Sequence, residues 1–190
     1  MNTNSLPVRS TSELRKGRIS LPGARYFLTC STVRPQTRLT DAACAKPILD
    51  TPHRLEQDTD MALFCATVMP DHLHILLTLS GGLSISRLIA KLKTLTRNAL
   101  NPYNIHWQAN YFEHRLRPEE SANPYAMYIF LNPYRAGLLE RQSVWQWWLC
   151  GAHADFDFLA HLDDGLFPPA EWLSRDPEAL GLSPATIGGD

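Results

Sequence analysis

Two strand-like segments with a very short connection limit the fold more than any other feature of this chain. Residues 63–68 and 72–79 are both rich in long apolar and β-branched side chains, and only Met69-Pro70-Asp71 separates them. Strands joined so closely pair as an antiparallel hairpin, whereas parallel neighbours need a crossover of a dozen or more residues. The hairpin therefore excludes a doubly wound parallel sheet at the centre of the fold.

Helices and further strands are predicted on both sides of this hairpin. The clearest helix is residues 84–100, where Ile85, Leu88 and Leu92 recur at helical spacing on one face. The other predicted elements are a turn at Pro22-Gly23, strands over residues 26–33 and 107–115, and helices over residues 39–54 and 123–132. The interleaved pattern predicts an α+β fold, a central antiparallel β-sheet flanked by α-helices.

Composition and charge narrow the functional classes. The chain is 44% hydrophobic and 19% charged, which is typical of a globular protein, and it contains no apolar run long enough to span a membrane. The four cysteines form no CxxC pair, so we expect reduced thiols and a cytoplasmic protein without a signal peptide or membrane anchor.

The charge is unevenly distributed along the chain. Residues 1–150 contain 17 Lys and Arg against 11 Asp and Glu, whereas residues 151–190 contain one basic residue against eight acidic ones. We predict a basic N-terminal arm (1–22), a body (23–150) and a loosely attached acidic tail (151–190). A basic body is typical of proteins that handle polyanions, and the alternative for the tail is a solvated segment that aids solubility.

The hairpin contains a pair of histidines. Side chains alternate along a strand, so His72 and His74 point to one face, and the apolar residues between and after them point to the other, beneath helix 84–100. Two imidazoles at this spacing can share one metal ion. The alternative is two polar residues on the solvent face of a strand.

A polar stripe runs along helix 123–132. Tyr125, Tyr128 and Asn132 fall on one side of the helix, and the phenol of Tyr128 and the amide of Asn132, four residues apart, can address the same point. The alternative is a tyrosine rim on an amphipathic helix. Taken together, two histidines and an amide oxygen can hold a divalent cation, and a phosphodiester polarised by that cation suits a tyrosine nucleophile.

Five short motifs in order extend this pattern and resemble the single-tyrosine HUH transposases, more narrowly the REP-associated tyrosine transposases. They span roughly residues 15–140 and comprise Arg15-Lys16-Gly17-Arg18 with Leu21-Pro22-Gly23, Tyr26-Phe27-Leu28-Thr29, Met69-Pro70-Asp71-His72-Leu73-His74, Trp107-Gln108 through Tyr111-Phe112-Glu113-His114-Arg115, and Tyr128-Ile129 with Asn132-Pro133-Tyr134-Arg135.

The resemblance implies a ferredoxin-like HUH endonuclease fold and a specific chemistry. His72 and His74 would bind Mg²⁺ or Mn²⁺, and Tyr128 would be the nucleophile, with Tyr125 and Tyr134 as rivals. Asn132 stands where related transposases have a glutamine metal ligand, although Asn is one methylene shorter. The family cleaves single-stranded DNA beside REP-like hairpins, forms a 5′-phosphotyrosine bond, releases a 3′-OH and rejoins strands by the reverse reaction.

Basic side chains outside this site are predicted to hold DNA. They are Arg15, Lys16 and Arg18 of the arm, and Arg87, Lys91, Lys93 and Arg97 of helix 84–100, for which a solvated helix face is the alternative. A further hypothesis is that the acidic tail folds back over the basic surface and competes with DNA.

Two other functions stay open at this point. The chain could be a domesticated module that binds hairpin DNA without transposition, or a metal-dependent phosphodiesterase in which water attacks and Tyr128 is a bystander. Trapping a covalent protein–DNA adduct distinguishes all three. The sequence is compatible with a monomer or a homodimer.

Overall fold

The computed structural model describes residues 19–35, 38–152 and 154–174, and these form an α+β fold, as predicted. Five strands make one sheet in the order β4-β1-β3-β2-β5, with every neighbouring pair antiparallel. The strands are β1 (Arg25–Ser31), β2 (Met61–Val68), β3 (His72–Leu79), β4 (Phe112–Arg115) and β5 (Trp148–Cys150). The helices are α1 (Ala42–Gln57), α2 (Ile85–Leu100), α3 (Asn123–Arg135) and the short α4 (Ala170–Ser174).

The predicted hairpin is confirmed and lies at the centre of the sheet. Strand β3 pairs with β2 on one side and with β1 on the other, so that His74 has Thr67 and Thr29 as its cross-strand neighbours. Since β3 has a strand on each side, its backbone hydrogen bonds are shielded from water along its length.

The predicted strand over residues 107–115 is wrong in its first half. Only Phe112–Arg115 forms a strand, and Trp107 makes an isolated bridge to Thr32. The reason is that the ammonium group of Lys93 takes the carbonyl oxygens of Gln108 and Asn110, at 2.8 and 3.0 Å. Carbonyls that point at a lysine are turned away from a regular β ladder.

Two helix boundaries also differ from the prediction. Helix α1 begins and ends three residues later than expected and includes both Pro47 and Pro52. Helix α3 passes through Pro133 and ends at Arg135. A proline in the last turn removes a single N–H donor, and Gly137, at a φ of +66°, closes the helix by donating its N–H to the Tyr134 carbonyl.

Each face of the sheet has its own core. Helices α1 and α2 cover one face and bury aliphatic side chains, among them Leu73, Ile75, Leu77 and Leu79 of β3, as predicted. Helix α3 covers the opposite face over a cluster rich in aromatic residues, among them Phe27 and Phe130. His72 and His74 lie on this second face, because they alternate with the aliphatic residues of β3.

The segment after β5 packs on the second face. Phe156, Phe158 and Trp172 are all more than 90% buried in the α3 cluster. The prediction of a loosely attached tail is therefore wrong for residues 154–174, and residues 175–190 lie outside the described part. The predicted domain boundaries remain predictions, since they depend on the terminal segments. Within the described residues, no helix is long and apolar enough to cross a membrane.

Candidate active site

Two histidine side chains meet at the end of β3 that faces α3. Nε2 of His72 lies 3.0 Å from Nε2 of His74. Nδ1 of His72 donates to the carboxylate of Asp71 at 2.7 Å, and Nδ1 of His74 lies 2.9 Å from the hydroxyl of Thr29. A proton held on each Nδ1 by these oxygens leaves both Nε2 lone pairs directed at the same point, as metal-binding histidines require.

His74 is the buried member of the pair. Its side chain is 3% exposed and stacks on the ring of Phe27, with 5.4 Å between centroids. Burial, reinforced by the neighbouring His72, holds the pKa of His74 well below its usual range. His74 is therefore a neutral imidazole at physiological pH, which is the form that binds a metal.

Asn132 reaches the same point from α3. Its amide nitrogen Nδ2 donates to Nε2 of His74 at 3.1 Å. A half-turn of the amide about its terminal bond would exchange the nitrogen for the carbonyl oxygen, which is the atom that ligates metals. The Asn132 side chain is thus long enough to reach Nε2 of His74.

Tyr128 lies one turn before Asn132 and stands against the histidine pair. Its ring centroid is 5.5 Å from that of His74 and 6.0 Å from that of Phe27, edge-on in both cases. The Tyr128 side chain is half-buried. The fold therefore brings together His72, His74, Tyr128 and Asn132 from two elements that are about 50 residues apart in sequence.

The two rival tyrosines are engaged elsewhere. The Tyr125 hydroxyl lies 2.8 Å from Nε2 of His114 and donates to Glu120 at 3.3 Å. Burial, followed by the negative charge of Glu120, raises the pKa of Tyr125 to about 12. Tyr134 donates its hydroxyl to the Ser143 carbonyl at 2.8 Å, and burial raises its pKa as well. Neither phenol is placed to attack a substrate at the histidine pair.

The donor set fits a divalent cation with open coordination positions. Two Nε2 lone pairs 3.0 Å apart repel each other unless a cation or a proton lies between them. Among the described residues, no three His, Cys, Asp or Glu side chains come together in a manner that could hold a metal ion. Two imidazoles and an amide oxygen would leave the remaining coordination positions of a cation such as Mg²⁺ or Mn²⁺ to water and substrate oxygens.

The basic residues predicted to bind DNA lie apart from this site. Arg15, Lys16 and Arg18 fall outside the described residues. The other four are on α2, which covers the opposite face of the sheet. Lys91 forms ion pairs with Asp58 and Asp60 at 2.8 and 2.6 Å, and Lys93 is bound to backbone carbonyls, while Arg87 and Arg97 are exposed. A contact between DNA and any of these residues remains a prediction.

Sequence reasoning missed a clamp on α3, which we define as residues 154–174. At the start of α3, Asn123 donates to the Asp157 carboxylate at 2.6 Å. At its end, Arg135 donates to the carbonyl of Trp172 at 3.0 Å. The ring of Phe158 lies between them against Phe130, at 5.6 Å. The aromatic residues in an otherwise acidic segment were the available signal.

Comparison with known proteins shows which family this chain is similar to. Residues 24–116 match the family of IS200-like transposases. This chain is 27% identical over 93 residues to the REP-associated tyrosine transposase of Escherichia coli (strain K12), covering 48% of this chain and 56% of that protein. The match thus spans about half the length of that relative.

A solved structure of a REP-associated tyrosine transposase bound to a REP hairpin shares the fold. It aligns with a TM-score of 0.60 and 23% identity, over 69% of this chain and 79% of that one. Over residues 24–116, the chain is similar to the IS200-like transposases. Among them it resembles the REP-associated tyrosine transposases, so the resemblance predicted from the sequence is confirmed.

Proposed function

We propose that this protein is a metal-dependent transposase that cuts and rejoins single-stranded DNA beside a REP-like hairpin, with Tyr128 as the nucleophile. The observation that supports this function best is the convergence on Nε2 of His74, which lies 3.0 Å from Nε2 of His72 and 3.1 Å from the Asn132 amide, beside the ring of Tyr128. The DNA hairpin is proposed as partner because a protein of the same fold is described as bound to one.

Tyr128 supplies the covalent chemistry. Its phenol oxygen loses its proton and forms a bond to the phosphorus as the bond from phosphorus to the 3′ oxygen breaks, and the departing 3′ oxygen takes up a proton to become a 3′-OH. The 5′ phosphate then remains on Tyr128, and attack by another 3′-OH reverses the step. No external energy source is needed, because one phosphodiester bond replaces another at each step.

The polar residues around Tyr128 prepare the site for this step. His72 and His74, oriented by Asp71 and Thr29, would bind Mg²⁺ or Mn²⁺ through Nε2, and Asn132 would add its amide oxygen. A bound divalent cation would polarise the scissile phosphate and offset the charge that develops in the transition state. Buried Phe27 beneath the rings holds His74 and Tyr128 in place.

The direct test is to trap the covalent adduct. A single-stranded oligonucleotide carrying a REP hairpin with flanks is labelled at its 3′ end, because the fragment that stays on tyrosine retains that end. It is incubated with protein and Mn²⁺ or with EDTA, and then run on a denaturing protein gel. We expect a labelled band at the size of the protein plus DNA, with Mn²⁺ only.

The matched variants identify the nucleophile. Tyr128→Phe should abolish the band, whereas Tyr103→Phe, an exposed tyrosine after α2, should leave it unchanged. Cleavage without an adduct in the wild type would contradict the proposal in favour of a hydrolase. Hairpin binding with neither cleavage nor adduct would contradict it in favour of a binding module.

A further inference from the structure

A cleft at one corner of the sheet is lined by three arginines. It has a volume of about 390 Å³ and lies between the turn before β1 and the end of β4. Its walls are formed by Leu21, Gly23, Ala24, Arg25, Arg115, Leu116, Arg117 and Pro118. None of these described lining residues is acidic, whereas three of them are arginines.

Arg25 is held in position at the mouth of this cleft. Its Nη2 donates to the carbonyls of Pro118 and Glu120 at 3.3 and 2.7 Å, which ties β1 to the loop that leads into α3. A guanidinium has five N–H donors, and both contacts use one nitrogen. An arginine fixed by backbone contacts has already lost most of the side-chain entropy that binding an anion would otherwise cost.

Arg115 and Arg117 flank the cleft from the edge strand. Both are exposed, and they are separated by Leu116, whose side chain is buried in the α3 cluster. The buried leucine fixes the backbone between them. Two exposed arginines on a fixed segment are typical of a surface that contacts phosphate groups.

Glu120, two residues after the lining residue Pro118, already has partners outside the cleft. The Glu120 carboxylate accepts the N–H of Arg117 at 2.5 Å and the hydroxyl of Tyr125 at 3.3 Å, and lies 3.4 Å from Nε2 of His114. These contacts hold the pKa of Glu120 below its usual value although burial opposes them. Its charge is directed to these partners and not into the cleft.

The cleft lies on the same face of the sheet as the proposed active site. Arg25 and Thr29 project from the same face of β1, because they are an even number of residues apart, and Thr29 contacts His74. Four residues along a strand span about 13 Å.

We propose that this cleft binds backbone phosphates of the substrate strand a few nucleotides from the bond that Tyr128 attacks. The inference rests on the proposed function for its substrate, single-stranded DNA. Phosphate contacts position a strand without reading its sequence. The cleft therefore sets which phosphate reaches Tyr128, and the sequence preference comes from other parts of the protein.

The test measures binding in a protein that cannot react. In a Tyr128→Phe background, Arg115 and Arg117 are both changed to Gln. In the control, Arg38 and Lys46 are changed to Gln in the same background; these are two exposed cations on the other side of the sheet. The probe is a fluorescein-labelled single-stranded oligonucleotide with a REP hairpin and ten-nucleotide flanks. Fluorescence anisotropy gives the Kd from 50 to 300 mM NaCl without metal.

We expect the cleft variant to lose both affinity and salt dependence. Each lost phosphate contact lowers the slope of log K against log salt by about 0.7 for single strands, so two contacts lower it by about 1.4. The Kd should rise by about tenfold or more at the lowest salt. Shortening the single-stranded flank step by step on the side that reaches the cleft should weaken wild-type binding but leave the variant unchanged.

Three outcomes decide the proposal. An unchanged slope and Kd in the cleft variant, with melting temperature retained, would overturn it. An equal loss in the Arg38 and Lys46 control would also overturn it, because any surface charge would then suffice. Arginine-dependent binding together with no tyrosine adduct in the wild type would support the cleft and contradict only the proposed function.

Discussion

The two faces of strand β3 are built on different principles. On the face beneath α1 and α2, the strand contributes four fully buried aliphatic side chains to a dry core. On the face beneath α3, the same strand contributes His72 and His74, which lie among aromatic rings and hydroxyl groups. One face stabilises the fold by burying apolar surface. The other face also buries polar groups, and these need hydrogen-bond partners.

The difference teaches how a small domain can hold a polar site in its interior. His74 is as deeply buried as its aliphatic neighbours, but its ring nitrogens face Thr29 on one side and His72 and Asn132 on the other. The α3 face compensates for its weaker core with the clamp, which adds the rings of Phe156, Phe158 and Trp172. We therefore expect substitutions on the two faces to separate activity from stability.

The largest effect is expected from His74→Ala. Loss of one imidazole from the proposed metal site should reduce Mn²⁺-dependent cleavage by about 1000-fold, or about 4 kcal/mol of transition-state stabilisation, as is typical of a lost electrostatic contact. Ile75→Val, the next residue on the same strand, is the control and should leave the rate unchanged. The measurement is single-turnover cleavage at saturating protein, and similar rates for both variants would contradict the comparison.

Leu77→Ala is expected to lower stability while leaving the activity of the folded protein unchanged. This change opens a cavity in the fully buried aliphatic core and should lower the free energy of unfolding by about 3 kcal/mol. Urea unfolding followed by circular dichroism measures the loss. Cleavage per folded molecule should match the wild type, and a rate loss in fully folded protein would show that the two faces are coupled.

A smaller and mixed effect is expected from Trp172→Ala in the clamp. The indole is 8% exposed and packs edge-on against Phe158, so its loss should cost about 2 kcal/mol of stability. Because the clamp holds both ends of α3, the cleavage rate of the folded protein should fall as well. Deletion of residues 175–190 is the control, and it also tests whether the acidic end of the chain competes with DNA.

The smallest expected effect is a loss of stability at low pH, which arises from His74 on the α3 face. The pKa of His74 lies well below 6.5 in the folded protein, so the unfolded chain binds a proton that the native state does not. Stability is thus complete above pH 6.5 and falls as pH drops below it, by at most about 1.4 kcal/mol per pH unit. Urea unfolding of metal-free protein at pH 7.5 and 5.5 measures this loss, which His74→Gln should reduce.

Local sequence patterns predicted the hairpin and its two histidines, as well as the stripe of Tyr128 and Asn132. These features depend on residues within one strand or one helix, where spacing alone determines which side chains share a face. The clamp could not be predicted in this way. Phe158 and Trp172 have no periodic pattern around them, and their partners on α3 are about 30 to 40 residues away.

The partners of the lysines on α2 could not be predicted from the sequence either. Helical spacing placed Lys91 and Lys93 on the polar side of α2, but the aspartates and carbonyls that bind them come from the turn between α1 and β2 and from the segment before β4. Charge at a surface position does not reveal whether a tertiary partner already occupies it. The same limit applied to residues 107–111, where a lysine contact prevailed over strand propensity.

The alternation along β3 also limits how this protein can diverge. A single inserted or deleted residue in the turn between β2 and β3 would move every side chain of β3 to the opposite face. The imidazoles would enter the aliphatic core while leucines filled the site, so catalysis and folding would fail in the same event. Homologous chains should therefore keep the length of this turn constant, even where most other positions have changed and the loop before α3 has grown or shrunk.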